Sequence, residues 1–342
     1  TQYGMLPLFV FGFLLTVFPR WLDQPALPRS RYVPVFVGVF GGYLVAHFGL
    51  FGHAGIFIAG LALMLLGWIA AMIALGGVLA RSGGDPHAWS CYAALALGAC
   101  GLGAFIAFAL GAPWQLAFVA IKLGTFGLLL PLYFTVCHRM IPFFSTNVVA
   151  GYRVVRPRWS LPVLWVLVLA HLGLELTHRY DRLWIADAPL CAFFAWHALA
   201  WQPWKARRPG LLSALHLAFA WLPISFALFA VQSFVDFLGR GFTLGRAPVH
   251  ALAIGFFGSM LVAMVTRVTQ GHSGRPLEMG RIAWFCFVAV QAVALIRIGA
   301  ELASDHALWL AIAALTWLAA FLPWVLRSTW IYLTPRADGK AG

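Results

Sequence analysis

The stretch HALAIGFFGSMLVAMVTRVTQGHSGRPLEMGR, His250 to Arg281, decides how the chain is read. From Ala251 to Thr266 it has no charged side chain. A helix of this kind, apolar on every face, has nothing to present to water, and it is long enough to enter a bilayer. After Arg267 the pattern breaks into a loop with His272, Arg275 and Arg281. At a rise of about 1.5 Å per residue, His250 and His272 lie about 33 Å apart and serve opposite ends of one span.

Working outward, the same texture recurs along all 342 residues. The chain is 62% hydrophobic and only 10% charged, against about 25% charged in an ordinary soluble domain. Apolar runs occupy roughly 4–18, 34–51, 56–80, 89–110, 114–137, 159–178, 183–201, 211–237, 248–268, 281–298 and 305–327. The chain therefore reads as an all-α, polytopic transmembrane helical bundle of about eleven spans. It forms a single transmembrane domain over residues 1–342, with no segment long enough to fold apart. The longest link, about 138–158, is read as a loop whose Phe143 and Phe144 meet the lipid interface.

The net charge of +13 is not a nucleic-acid footprint, because it is sorted by side. Arg20, Arg29, Arg31, Arg153, Arg156, Arg158, Lys205, Arg207, Arg208 and Arg336 fall on one side of the alternating spans. Arg179, Arg182, Arg240, Arg246 and Arg297 are the few on the other, together with Glu175, Asp181, Asp187, Asp236, Glu301 and Asp305. Basic residues stay on the cytoplasmic side during insertion, which places the C-terminus in the cytoplasm. Eleven spans then put the first residue outside. With no initiator Met and no signal-peptide flank, one further span is expected before it, making about twelve in the full protein.

Many of the 16 tryptophans lie near segment ends (Trp21, Trp89, Trp114, Trp159, Trp184, Trp201, Trp204 and Trp330), as in an interfacial belt. Gly38, Gly41 and Gly42, then Gly98, Gly101 and Gly103, then Gly255, Gly258 and Ser259 mark close helix contacts. Cys91, Cys100, Cys137, Cys191 and Cys286 have no metal-site or haem-attachment spacing and read as small buried hydrophobes.

Eleven histidines are many for so apolar a chain, since a buried ionisable group in a membrane is costly and usually serves a pathway, a metal or a pair. His197 and His216 sit at similar depth on neighbouring antiparallel segments, where two imidazoles can hold haem iron or copper. His171, Glu175 and His178 share one helical face as a polar cluster. His250 opens its span ahead of Met260 and Met264; methionine with histidine suits copper, although ordinary packing explains the methionines. Arg267 and Arg275 bracket His272, and an arginine fork suits a haem propionate, a lipid headgroup or another anion. The plainer alternatives are histidines bonded to carbonyls and a basic loop that enforces topology.

These residues also carry a resemblance. HALAIGFFGSMLVAMVTRVTQGHSGRPL (250–277), RMIPFFS (139–145), LLSALHLAFAWLPI (211–224) and FGFLLTVFPRWL (11–22) resemble, in order, the motifs of the NnrS family of bacterial membrane proteins. The positions matched are Arg139, His216, His250, Arg267, His272 and Arg275. The resemblance implies a multi-pass protein of the bacterial inner membrane that binds haem and copper and takes part in the response to nitric oxide and nitrosative stress, with nitric oxide or iron-nitrosyl species as partners. The family's early histidine-bearing stretch precedes the first residue here, and Cys137-His138 departs from the small residues expected before the R-x-I-P-F-F segment. The physical choice of ligands is His216, His250 and His272, with His197, Arg139, Arg267 and Arg275 as further cofactor contacts. A different class, a transporter or metal-delivery protein with a histidine relay, predicts broken helices near the midplane. A nitric-oxide-reducing enzyme would gather several histidines on one metal, whereas these alternate between faces. The electron donor is left open.

Overall fold

The computed structural model describes residues 2–241 and 243–340, and among them there is no strand. Eleven long helices follow one another: α1 Met5–Trp21, α2 Arg29–Gly49, α3 Ala54–Ala80, α4 Pro86–Ala109, α5 Gln115–Val148, α6 Ser160–Leu176, α7 Trp184–Ala200, α8 Gly210–Phe237, α9 Ala247–His272, α10 Arg281–Ala300 and α11 His306–Leu333. Eight of these are long and apolar enough to cross a bilayer; α1 and α6 are apolar but only 17 residues each. Helices are the outcome expected of such a sequence, because in hydrocarbon each backbone N–H and C=O must be satisfied within its own segment.

The expected segments and the observed helices correspond one for one; most boundaries shift by a few residues, α2 begins five residues earlier and α11 ends six residues later than expected, and the largest difference is at the end of α5. The region expected as a long loop begins as helix: α5 runs on to Val148, with Pro142 inside it. The R-x-I-P-F-F motif is thus helical. Phe143 is 53% exposed, but Phe144 is buried.

Contacts divide the chain into two compact units. One comprises the chain up to Arg139 with Arg158–His178; the other comprises Met140–Pro157 with the chain from Arg179 onward. In the first, α3 is the central helix, flanked by α1, α2 and α4. Small residues permit the approach to α2: a Cβ added at Gly38 would sit 2.5 Å from the Gly67 Cα, and one at Gly42 would sit 2.5 Å from the Met64 nitrogen. Lipid tails are as apolar as a leucine side chain, so burial gives little advantage here and close packing holds the helices together. Gly41 and Gly103 face open space instead.

In the second unit α7 packs against α8, α8 against α9, and α10 against both α9 and α11. Helix α9 is the most enclosed of the candidate spans; only 17% of the apolar window of α11 is buried. The outward faces are large and apolar, as at Phe48, Leu66, Leu315 and Leu333, which is what a bilayer covers. Trp89, Trp114, Trp159, Trp204 and Trp330 are exposed as a belt requires. Trp201 is instead fully buried, and its indole donates to the Val155 carbonyl at 3.0 Å.

Three spans contain a π-helical segment: Val37–Gly41, Leu123–Leu129 and Ala251–Gly258. Such wide turns are frequent at functional sites, and they free carbonyls that must be bonded elsewhere. At the second, the Ile121 carbonyl accepts from Thr125 Oγ1 at 3.0 Å and from Gln2 Nε2 at 3.3 Å, and Tyr3 donates to the Ala120 carbonyl.

Candidate functional site

Helix α9 carries the signature residues, and its two ends are built differently. At its N-terminal end, Arg297 of α10 reaches His250, with its Nη2 2.7 Å from the ring Nε2. Glu301 Oε1 lies 3.3 Å from the same nitrogen, and Glu301 Oε2 accepts the Arg246 backbone N–H at 2.9 Å. Partial burial by itself raises the Glu301 carboxyl, but the Arg246 N–H, His250 and Arg297 outweigh it and hold it below the usual carboxylate range. A metal cation at His250 Nε2 would have to replace a guanidinium.

The basic end of α9 closes into a braced loop. Gln270 Nε2 donates to the Glu278 carbonyl at 2.6 Å, and Gln270 Oε1 accepts the Glu278 N–H at 3.1 Å. The C-terminal segment clasps the loop from outside: Arg336 Nη1 donates to the His272 carbonyl at 2.8 Å, and the Ala337 N–H donates to the Ser273 carbonyl at 2.9 Å. Gly274 takes φ +67°, and a Cβ there would sit 2.5 Å from Asp338. The His272 side chain is exposed, so only its backbone is held. Arg267 lies over the Phe144 ring, 3.7 Å from its centroid. Arg275 Nη2 reaches Thr334 Oγ1 at 3.4 Å, while its Nη1 is buried with no acceptor among the described residues.

Between the ends lies the most distinctive group. His216 on α8 is 7% exposed, and its Nε2 has no hydrogen-bond partner among the described residues. One turn further on, Trp221 donates to Gln291 Oε1 at 2.5 Å, and Gln291 Nε2 donates to Ser259 Oγ at 2.6 Å. A Cβ on Gly255 would overlap the Trp221 ring. The tryptophan of one motif is thus seated on the glycine of another. Gln291 was missed at the level of sequence; its one signal is an amide alone in an apolar run.

His197 is fully buried and its Nδ1 lies 2.8 Å from the Phe193 carbonyl of its own helix. Met260 and Met264 are buried packing residues.

In the other unit, Arg139 pairs with Asp85 and stacks 4.5 Å from the centroid of Trp21, joining the first motif to the R-x-I-P-F-F segment. Asp85 also caps α4 through the N–H groups of His87 and Ala88, at 2.7 and 3.2 Å. Burial alone would raise its carboxyl; hydrogen bonds from His87 and Arg139, and the charge of Arg139, outweigh that and hold it well below the usual range. His87 Nε2 and His138 Nδ1 are 2.9 Å apart. Deeper along α5, Lys122 pairs with Glu175 at 2.7 Å, and His171 Nε2 lies 3.7 Å from the other carboxylate oxygen. Cys91, Cys137 and Cys286 are buried, Cys191 is half-buried and Cys100 is exposed.

The motif residues therefore come together in sets within each unit, and the chain as a whole matches the family model described as NnrS protein over residues 2–336. The chain belongs to the NnrS family. That makes it an NnrS-type membrane protein, with its family resemblance carried by nearly the whole length. No curated protein and no solved structure matches it.

Proposed function

We propose that this NnrS protein is a haem-binding protein of the bacterial inner membrane that acts in the response to nitric oxide and nitrosative stress, in which His216 would hold the haem iron. The observation that carries this is the His216 Nε2, buried with no hydrogen-bond partner among the described residues. A buried polar atom of this kind costs roughly 1–3 kcal/mol if left unsatisfied, and an iron atom would satisfy it. Arg267, which has no carboxylate partner among the described residues, and Arg275, with one unsatisfied buried nitrogen, carry charge suited to propionates. When bound, haem supplies an iron that takes nitric oxide directly, and a site inside the bilayer meets this small apolar gas where it dissolves. His250 is less well placed than the motif implies, because Arg297 covers its Nε2. Copper has weaker support: no group of three or more His, Cys, Asp or Glu is arranged to hold a metal among the described residues. The excess of basic residues on the side of the C-terminus supports a cytoplasmic tail.

The test is haem content and the Soret band of the purified full-length protein and of His216→Ala, His250→Ala and His272→Ala. His216→Ala should lose the band while the other two retain it. Full haem content in His216→Ala would sink the assignment.

The second reading, a transporter or metal-delivery protein with a histidine relay, draws on the Lys122, Glu175 and His171 cluster inside the membrane segment. It predicts substrate uptake into proteoliposomes that nitric oxide does not alter and that Glu175→Gln abolishes.

A further inference from the structure

Helices α1 and α2 each pack against α3, and a gap is left between them. The gap is a groove of about 480 Å³, within the range of about 300–1,000 Å³ typical of small-ligand sites. Its walls are apolar: Leu8, Phe11 and Leu15 from α1, Val35, Phe36 and Val39 from α2. At one end the lining turns polar, with Arg20, Gln24 and Tyr32. We infer that this groove binds one anionic phospholipid, its headgroup at Arg20 and an acyl chain along the wall.

Length, polarity and charge agree on that occupant. From Leu8 to Pro19 the α1 side of the groove is about 16 Å long at 1.5 Å per residue, which is half of a hydrocarbon core of about 30 Å and so the depth of one leaflet. Arg20 lies in the last turn of α1, Gln24 in the link that follows and Tyr32 in the first turn of α2, where the chain leaves the apolar zone. Arg20 has no hydrogen-bond acceptor or carboxylate among the described residues. Arg29 and Arg31, both exposed, lie in the first turn of α2, and Asp23 is the one acid in the link from α1. Basic pockets between membrane helices on one face recognise anionic headgroups in this way. A neutral lipid would leave that charge unused, and a free anion would leave the apolar length unused.

Gly12 makes the inference testable. It lines the groove, and a Cβ added there meets nothing within 4 Å, so a large side chain can fill the space without displacing the fold. The delipidated full chain in detergent is titrated, by native mass spectrometry and thermal shift, with phosphatidylglycerol, with phosphatidylcholine of the same chains and with inorganic phosphate. Phosphatidylglycerol should bind in preference to phosphatidylcholine. Arg20→Gln should weaken it roughly five-fold, the effect of one basic side chain near an anionic headgroup, and Arg20→Lys should restore most of the loss. Gly12→Phe, with unchanged helical circular dichroism and elution, should lose binding of both lipids. Equal binding of the two lipids, phosphatidylglycerol binding unaffected by Gly12→Phe, phosphate acting as well as the lipid, or a co-purifying polypeptide that excludes lipid would each overturn the inference. If Gly12→Phe does not fold, the Arg20→Gln and Arg20→Lys pair decides alone.

Discussion

Lys122 and Glu175 show what a single pair of charges does in an apolar bundle. Glu175 is 4% exposed and Lys122 18% at their side chains, and Phe118 and Phe126 flank the ammonium at 5.3 and 6.0 Å from their ring centroids. Removing one partner leaves a buried charge alone, which costs ~3–5 kcal/mol, whereas replacing both by apolar side chains is often close to neutral. Lys122→Met should therefore lower the denaturation midpoint in detergent sharply, and Lys122→Met with Glu175→Leu should recover most of the loss. A double variant no better than the single one would show that the pair's role is not electrostatic. The Asp85–Arg139 pair makes a pH-dependent contribution outside the spans. Its carboxyl is depressed in the fold, so the stabilisation is fully present above the unfolded value of about 3.9 and is lost as pH falls through the lower folded value. Asp85→Asn should be less stable at neutral pH and should lose part of the acid-induced decline seen in the parent, measured as the unfolding midpoint between pH 6 and pH 3. A lone lysine inside a span and a glutamate on a polar face were both legible in the chain. Their pairing was not, because it depends on how two helices are rotated about their own axes.

The glycines of α2 separate packing from composition at the scale of one element. Gly38 and Gly41 are equally plausible contact points in the sequence, one turn apart. In the fold Gly38 abuts the Gly67 backbone and Gly41 faces open space. Backbone cannot yield as a flexible side chain can, so Gly38→Ala should destabilise by ~1–3 kcal/mol, the usual cost of overpacking. Gly41→Ala should be neutral or stabilising, since alanine is the better helix former by ~1 kcal/mol. Equal midpoints for the two variants would contradict the α2–α3 packing. The eleven helices themselves were legible to within a few residues, because a run apolar on all sides has few alternatives. The π-helical segments were not legible, since no residue type requires one; nor was the helical course of the R-x-I-P-F-F motif, where a proline and polar neighbours resemble the start of a loop. His216, His250 and His197 were named from the chain alike. Only the packing of α7, α8 and α10 around them distinguishes a ring met by an arginine, a ring bonded to its own helix and a ring with an unsatisfied nitrogen.

Over the whole molecule the distribution of charge makes its own prediction. With the basic side cytoplasmic, Arg207→Cys in the link after α7 should be protected from a membrane-impermeant maleimide in intact cells. Arg182→Cys in the link before α7 should react, and a green fluorescent protein fused to the C-terminus should fluoresce. Labelling of Arg207→Cys from outside would reverse the topology. The amino-acid sequence by itself determined that this is a helical membrane protein of the NnrS family and how its helices follow one another, since each of these follows from local apolarity and motif order. Tertiary structure alone decided which polar groups satisfy one another and which do not. Arg297 answers His250, Arg139 answers Asp85, and His216 Nε2 finds no partner among the described residues, because partners far apart in the chain meet only once helix rotation and register have been set by packing.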